Sequence, residues 1–174
     1  MRCNTQQPRA AIERSAEISE CGRYRWWLRR KLNDDNNRVV CFVMLNPSTA
    51  DADIDGPTIR RCMGYARDWG YSILEVRNLF PYRATDKQEI RRVADPTGDP
   101  RGLTELGNAH HAELIIAAWG TWVPYDRDRR MKELYSRGRP IYCLRANDEG
   151  KPVHPLYQPK NLTPQPFWNC EVKA

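Results

Sequence analysis

An α/β fold, a three-layer α/β/α sandwich around a central, mainly parallel four-stranded sheet with an N-terminal hairpin, is predicted by three features of the chain. Mostly apolar runs recur at 39–45, 72–76, 114–119 and 141–144. Helix-forming stretches separate them, and most of the runs stop at a turn-forming residue. Strands that read as near-continuous hydrophobic runs are covered on both faces, which is how parallel sheets with crossover helices are built.

The elements follow in order. Residues 1–22 show no clear periodicity, although Ile12 and Ala16 allow a short helix, so this segment is set apart from a single domain over 23–174. Bulky and basic residues over 24–30, then the turn-rich Asn33-Asp34-Asp35-Asn36-Asn37, predict a hairpin leading into a buried strand at 39–45, broken at Asn46-Pro47. A helix over 58–69 has Pro57 in its first turn, Ile59, Met63 and Ala66 as its inner stripe and Gly70 as its stop. A strand at 72–76 runs out at Asn78. Short helical segments at 86–93 and 101–112 flank a loop at 95–100. The strand at 114–119 ends in Gly120, a helix covers 126–137, and a last strand spans 141–144. From Asn147 the Pro-rich, polar tail reads as a long ordered loop returning to the strand-end edge.

Composition narrows the function classes. The 174 residues suit one domain, able to bury roughly 70% of its unfolded surface without staples. No apolar stretch approaches a membrane span and the first residues lack a leader's apolar core, so a cytoplasmic protein is expected, and a monomer. Six scattered cysteines form no C-x-x-C pair, which argues against zinc ribbons and disulfide frameworks. His110-His111 lacks zinc-protease spacing, no Gly-rich phosphate loop is present, and Ser48 lacks a G-x-S-x-G setting. Asp51-Ala52-Asp53-Ile54-Asp55-Gly56 copies the opening of a calcium loop, but Cys62 stands where its bidentate Glu belongs. Those acids are expected to cap the helix at Pro57 or to shape a pocket wall. No metal and no cofactor is expected. The +6 charge favours a polyanionic partner, and the basic runs from Arg23 to Lys31 and from Arg127 to Lys132 are candidate faces for one, against the plainer reading of solvated surface.

In an open α/β sheet, ligands gather beyond the carboxyl ends of the strands. There the sequence puts Leu45-Asn46-Pro47-Ser48-Thr49, Asn78-Leu79-Phe80, Trp119-Gly120 and, past the last strand, His154-Pro155-Leu156. Two carboxamides and an imidazole at one edge make a candidate site.

These motifs resemble those of the uracil-DNA glycosylase superfamily over roughly residues 38–165. Leu45-Asn46-Pro47-Ser48 is similar to the first active-site motif of its mismatch-specific branch, and Asn78 to Thr85 is similar to that branch's N-L-V-P-R-A-T stretch. Ala118-Trp119-Gly120 resembles the L-W-G strand end, and His154-Pro155-Leu156 the H-P-S opening of the second motif. A bacterial and phage family of unknown function, with the signature L-N-P-S-T-A-D, D-x-P-T-x-R-R-C, N-L-F and R-A-T, resembles the chain more closely still. Asn46 and Ser48 stand where the efficient uracil enzymes carry a water-activating Asp and a Tyr. The resemblance therefore implies a monofunctional glycosylase for a modified or mismatched pyrimidine, such as a glucosylated hydroxymethylcytosine of phage DNA, acting in defence or repair. A catalytically silent module that senses the base is the alternative.

The chemistry assigns roles. Asn46 would hold a water beneath the sugar carbon through its amide oxygen, and neutral His154 would donate to the base carbonyl where negative charge gathers. Asn78 would read the base edge, with Leu45, Phe80, Trp119 and Gly120 lining the pocket. Flipping the nucleotide out of a duplex requires DNA contacts, expected from Ser48, Thr49, Arg83, Leu156, Tyr157 and Lys160, with Leu156 or Tyr157 as the wedge.

Overall fold

A computed structural model describes residues 13–48, 54–135 and 138–168. In chain order it contains β1 (Glu13–Ile18), β2 (Arg25–Lys31), β3 (Val39–Met44), α1 (Pro57–Asp68), β4 (Ile73–Asn78), α2 (Arg101–Gly107), β5 (Leu114–Ala117), α3 (Arg127–Tyr135), β6 (Ile141–Cys143) and β7 (Gln165–Trp168). Short 3-10 turns lie at Lys87–Arg91, Asn108–His111 and Pro155–Tyr157.

The protein is α/β, with a mixed seven-stranded sheet in the order β1-β2-β4-β3-β5-β6-β7. β3 is parallel to both β4 and β5, and β5 to β6. β2 joins β4 antiparallel, β1 joins β2, and β7 joins β6. The chain leaves β3 for β4 on one side and reaches β5 on the other, so the strand order reverses at β3. Ligands of open α/β sheets gather at the carboxyl ends of the strands where the order reverses, and Asn46 follows the strand at that reversal.

Several expectations are corrected. Residues 13–18 form an edge strand rather than a short helix, because β2 offers them a ladder that local propensity alone does not reveal. The hairpin is therefore β1–β2, and β2 pairs with β4 rather than with β3. The sheet is larger than four strands, since the tail contributes β7, an edge strand that tolerates Pro166. The helix expected at 101–112 closes at Gly107 and continues as a 3-10 turn. Asp55 does not cap α1, whose N-cap is Gly56 without a side-chain bond. It binds Arg30 at 2.7 Å and Arg14 at 3.1 Å instead. Asp51 and Asp53 lie outside the described residues.

Each sheet face carries one core. Ile59, Cys62, Met63 and Ala66 of α1 pack with Val40, Phe42 and Val76 on one face. Ile90, Leu106 and Met131 cover Val43, Leu79 and Ile115 on the other. Cys41, Cys62 and Cys143 are buried thiols within these layers. The central strand β4 also buries Glu75 and Arg77, which satisfy one another at 2.5 Å, with Arg77 reaching Glu105 at 2.9 Å. Buried charge is retained only where it is paired in this way. Among the described residues no helix is long and apolar enough to cross a membrane.

Candidate functional site

The carboxyl edge of the parallel strands is stitched together by backbone bonds. Leu79 N donates to Met44 O at 2.8 Å, Phe80 N to Leu45 O at 2.9 Å, and Ala118 N to Val43 O at 2.8 Å. Three of the sequence motifs thereby converge without any side chain being needed. Pro47 ends β3 because it has no N–H to continue the ladder. Its carbonyl then accepts from Ala84 N at 2.9 Å, which brings the Arg83-Ala84-Thr85 stretch against the Asn46 turn.

Asn46 is half-buried and its amide is fixed in direction. Nδ2 donates to Ala84 O at 2.9 Å and to Pro47 O at 3.1 Å. Both donor hydrogens are thus directed into protein carbonyls, which leaves Oδ1 as the group offered to a ligand. Asn46 presents an acceptor.

His154 caps its own 3-10 turn, with Nδ1 accepting from Leu156 N at 3.3 Å. A neutral ring whose Nδ1 accepts carries its hydrogen on Nε2. Burial, and secondly the charge of Lys87, push its pKa below the ordinary value of 6.5, so the ring is neutral at pH 7. His154 presents a donor. Gly120, at φ +84°, lies against it: a Cβ there would stand 3.8 Å from His154 Cβ. The 84–87 segment reaches both residues, since Ala84 O accepts from Asn46 and the charge of Lys87 acts on His154. Lys87 and Arg91 also stand over the Trp122 ring at 5.5 and 5.3 Å.

Asn78, the last residue of β4, is buried, and its Oδ1 faces Arg25 Nη2 at 3.5 Å. Leu45, Phe80 and Trp119 stand at the edge by their backbones, but their side chains belong to the core. Phe80 is wholly buried, and Trp119 packs on Phe167 and Trp168. These three side chains therefore pack inside the protein rather than standing open to solvent. Trp26 is buried and stacked on Tyr24 at 5.4 Å.

A cleft of about 500 Å³ opens beside the His154 turn, lined by Pro57, Arg60, Arg61, Tyr65, Leu156 and Lys160, with Gly64 and Asp68. α1 secures its far wall, because Tyr65 Oη donates to Pro159 O at 2.5 Å and Trp69 Nε1 to Leu162 O at 2.9 Å. Leu156 and Lys160 thus share one groove, and Tyr157 projects next to it with 87% of its surface exposed. Ser48 is exposed at the Asn46 turn, and Thr49 lies outside the described residues. Arg83 is half-buried and donates Nη1 to Gly22 O at 2.9 Å, which ties it to the fold rather than to an open surface.

The two basic runs are interrupted by burial. Arg25 and Arg30 lie inside, and Arg127 is buried with its fork on Asp99, both bonds 2.8 Å. Arg60, Arg61 and Lys87 were not singled out as site residues from the sequence, and Arg25 only as part of a basic run. Arg60 and Arg61 lie three and four residues after Pro57, so each neighbours it on the helix surface, and all three line the cleft.

Fold and site define an α/β protein with a polar strand-end site flanked by a basic cleft. Residues 25–156 match the family model described as "Protein of unknown function (DUF1643)", and the chain belongs to that family. No curated protein and no solved structure matches it.

Proposed function

We propose that the protein is a monofunctional DNA glycosylase that flips out and hydrolytically releases a modified or mismatched pyrimidine. Its four parallel strands would then form the core of a uracil-DNA glycosylase-like domain, acting as a monomer in the cytoplasm. A bulky phage base such as glucosylated hydroxymethylcytosine is the substrate class, and defence or repair the setting. The observation that carries the proposal is the opposed polarity of two fixed side chains: Asn46 offers an acceptor and His154 a donor. Breaking the C1′–N1 bond leaves positive charge on the sugar and negative charge on the base. An amide oxygen can hold the attacking water on the sugar side, and an imidazole N–H can stabilise the base carbonyl. The water oxygen bonds to C1′, the C1′–N1 pair leaves with the base, and the water's proton neutralises the departing anion.

The groove supports the same partner. Arg60, Arg61 and Lys160 against the single acid Asp68 suit a phosphodiester backbone, and the exposed Tyr157 suits a wedge. The test incubates the protein with canonical, uracil-containing and phage-modified DNA and counts abasic sites. Cleavage at one of these that is abolished in Asn46→Ala supports the proposal. Tight, base-selective binding with no abasic sites supports a sensor instead and overturns it.

A further inference from the structure

Arg25 is a cation in a place that does not accommodate one cheaply. It is 5% exposed, and among the described residues no carboxylate pairs with it. Among the described residues its Nε finds no hydrogen-bond partner, and its one side-chain hydrogen bond is the long 3.5 Å approach of Nη2 to Asn78 Oδ1. Asn78, also 5% exposed, has a second orphan, because its Nδ2 is buried without a partner. A buried guanidinium and a buried amide donor left unsatisfied side by side are strongly unfavourable unless something else uses them. By contrast, the neighbouring buried Arg30 has Asp55 at 2.7 Å.

The orientation is informative. Because Asn78 Oδ1 faces the Arg25 fork, the amide's Nδ2 is left as a buried donor. Both free groups therefore donate hydrogen bonds and neither accepts. Asn78 ends β4 opposite Met44 of β3, two residues before Asn46, so the pair stands at the strand-end edge. A bulge between Glu17 and Ile18, where β1 meets β2, lets consecutive residues of β2 depart from simple alternation.

We propose that Arg25 and Asn78 form a two-point donor site for the carbonyl edge of an anionic pyrimidine. The inference rests on the glycosylase reading in naming the ligand the departing base, and it deepens that reading: Arg25 supplies the fixed positive charge facing the base as its glycosidic electrons arrive. Burial, then the charges of Arg83 and Arg30, lower the Arg25 pKa to about 10, so it remains charged at neutral pH. A fixed donor in a water-poor site stabilises such charge without reorganisation.

The full-length chain is titrated calorimetrically with barbiturate, a planar pyrimidinetrione ionised at neutral pH, with neutral uracil and with inorganic phosphate. Barbiturate is expected to bind more tightly than uracil or phosphate, and at least tenfold more weakly to Arg25→Gln. Asn78→Asp supplies the missing counter-ion, so it should lose barbiturate binding while keeping a Tm at or above that of the unmutated protein. If Arg25→Gln fails to fold, Asn78→Asp decides alone. Equal affinity in variant and parent, phosphate binding as tight as barbiturate, or a lower Tm in Asn78→Asp overturns the inference. Arg25-dependent barbiturate binding without abasic sites in DNA refutes only the glycosylase reading. Abasic sites with unchanged barbiturate affinity refute only the Arg25 assignment.

Discussion

Asn46→Asp replaces one amide nitrogen with oxygen and tests the orientation of the whole Asn46 turn. In the native protein Nδ2 donates to Ala84 O at 2.9 Å and Pro47 O at 3.1 Å. Once ionised, the introduced carboxylate would set its oxygens against those two carbonyls. Losing two bonds at about 1 kcal/mol each and adding about 1 kcal/mol of desolvation and repulsion gives about 3 kcal/mol of destabilisation. For a chain of this size that lowers Tm by roughly 6–12 °C. Protonation restores a donor to one carbonyl, so the folded state raises the pKa of the introduced carboxyl above the unfolded value of about 3.9. The unfolded chain then releases the proton more readily, and the loss grows as pH rises through the unfolded pKa. Thermal unfolding by circular dichroism should show variant and parent close at about pH 4 and far apart at about pH 8. A Tm difference that is flat with pH, or larger in acid, would refute the amide orientation and with it the claim that Oδ1 faces the ligand.

Other consequences follow from the same geometry. His154 is held below its ordinary 6.5, so the unfolded state takes up the proton first and stability contributed above 6.5 is lost as pH falls. Lys87→Met removes one cause, and the imidazole titration followed by NMR should move upward; no movement would show that Lys87 does not act on the ring. Gly102→Ala puts a Cβ 2.0 Å from Thr97 O, a backbone atom, and should cost about 3 kcal/mol or more in thermal unfolding. A neutral result would mean that the 95–100 loop yields freely. Cys21 is exposed, and the Ser19 hydroxyl, followed by Arg23, lowers its pKa to about 7. Iodoacetamide at neutral pH should label it ahead of Cys41 and Cys62, whose pKa values burial drives upward, and Ser19→Ala should slow the labelling. Equal rates by peptide mapping would contradict the packing.

The strand-end motifs were legible because they sit where strong local signals stop. Val39 to Met44 is apolar without interruption, and Asn46-Pro47 must break the ladder, so the site's first residue could be placed from sequence. β1 was not legible: Glu13, Ala16 and Glu17 are poor strand formers, and the segment is a strand because β2 lies beside it. β7 is only four residues long and includes a proline, which local propensity assigns to a loop. The side-chain roles divide similarly. The His154 cap is a short-range feature, fixed within its own turn, whereas the Asn46 amide is held by Pro47 and by Ala84, 38 residues away. Arg25 sits in a basic run that reads as solvated surface, and only the pairing of β2 with β4 turns it inward beside Asn78, 53 residues away. Phe80 and Trp119 were placed at the right edge, but sequence does not say which face of the sheet a ring covers.

Mass identification of the free base released from modified DNA, measured for the parent, Asn46→Ala, His154→Ala and the double variant, tests the proposal that the two side chains serve one site most directly. One site serving one bond predicts losses of roughly 100-fold or more for each single change and a double variant far less impaired than the product of the two. No released base from any modified DNA, or losses that multiply as if the two side chains worked independently, would contradict it.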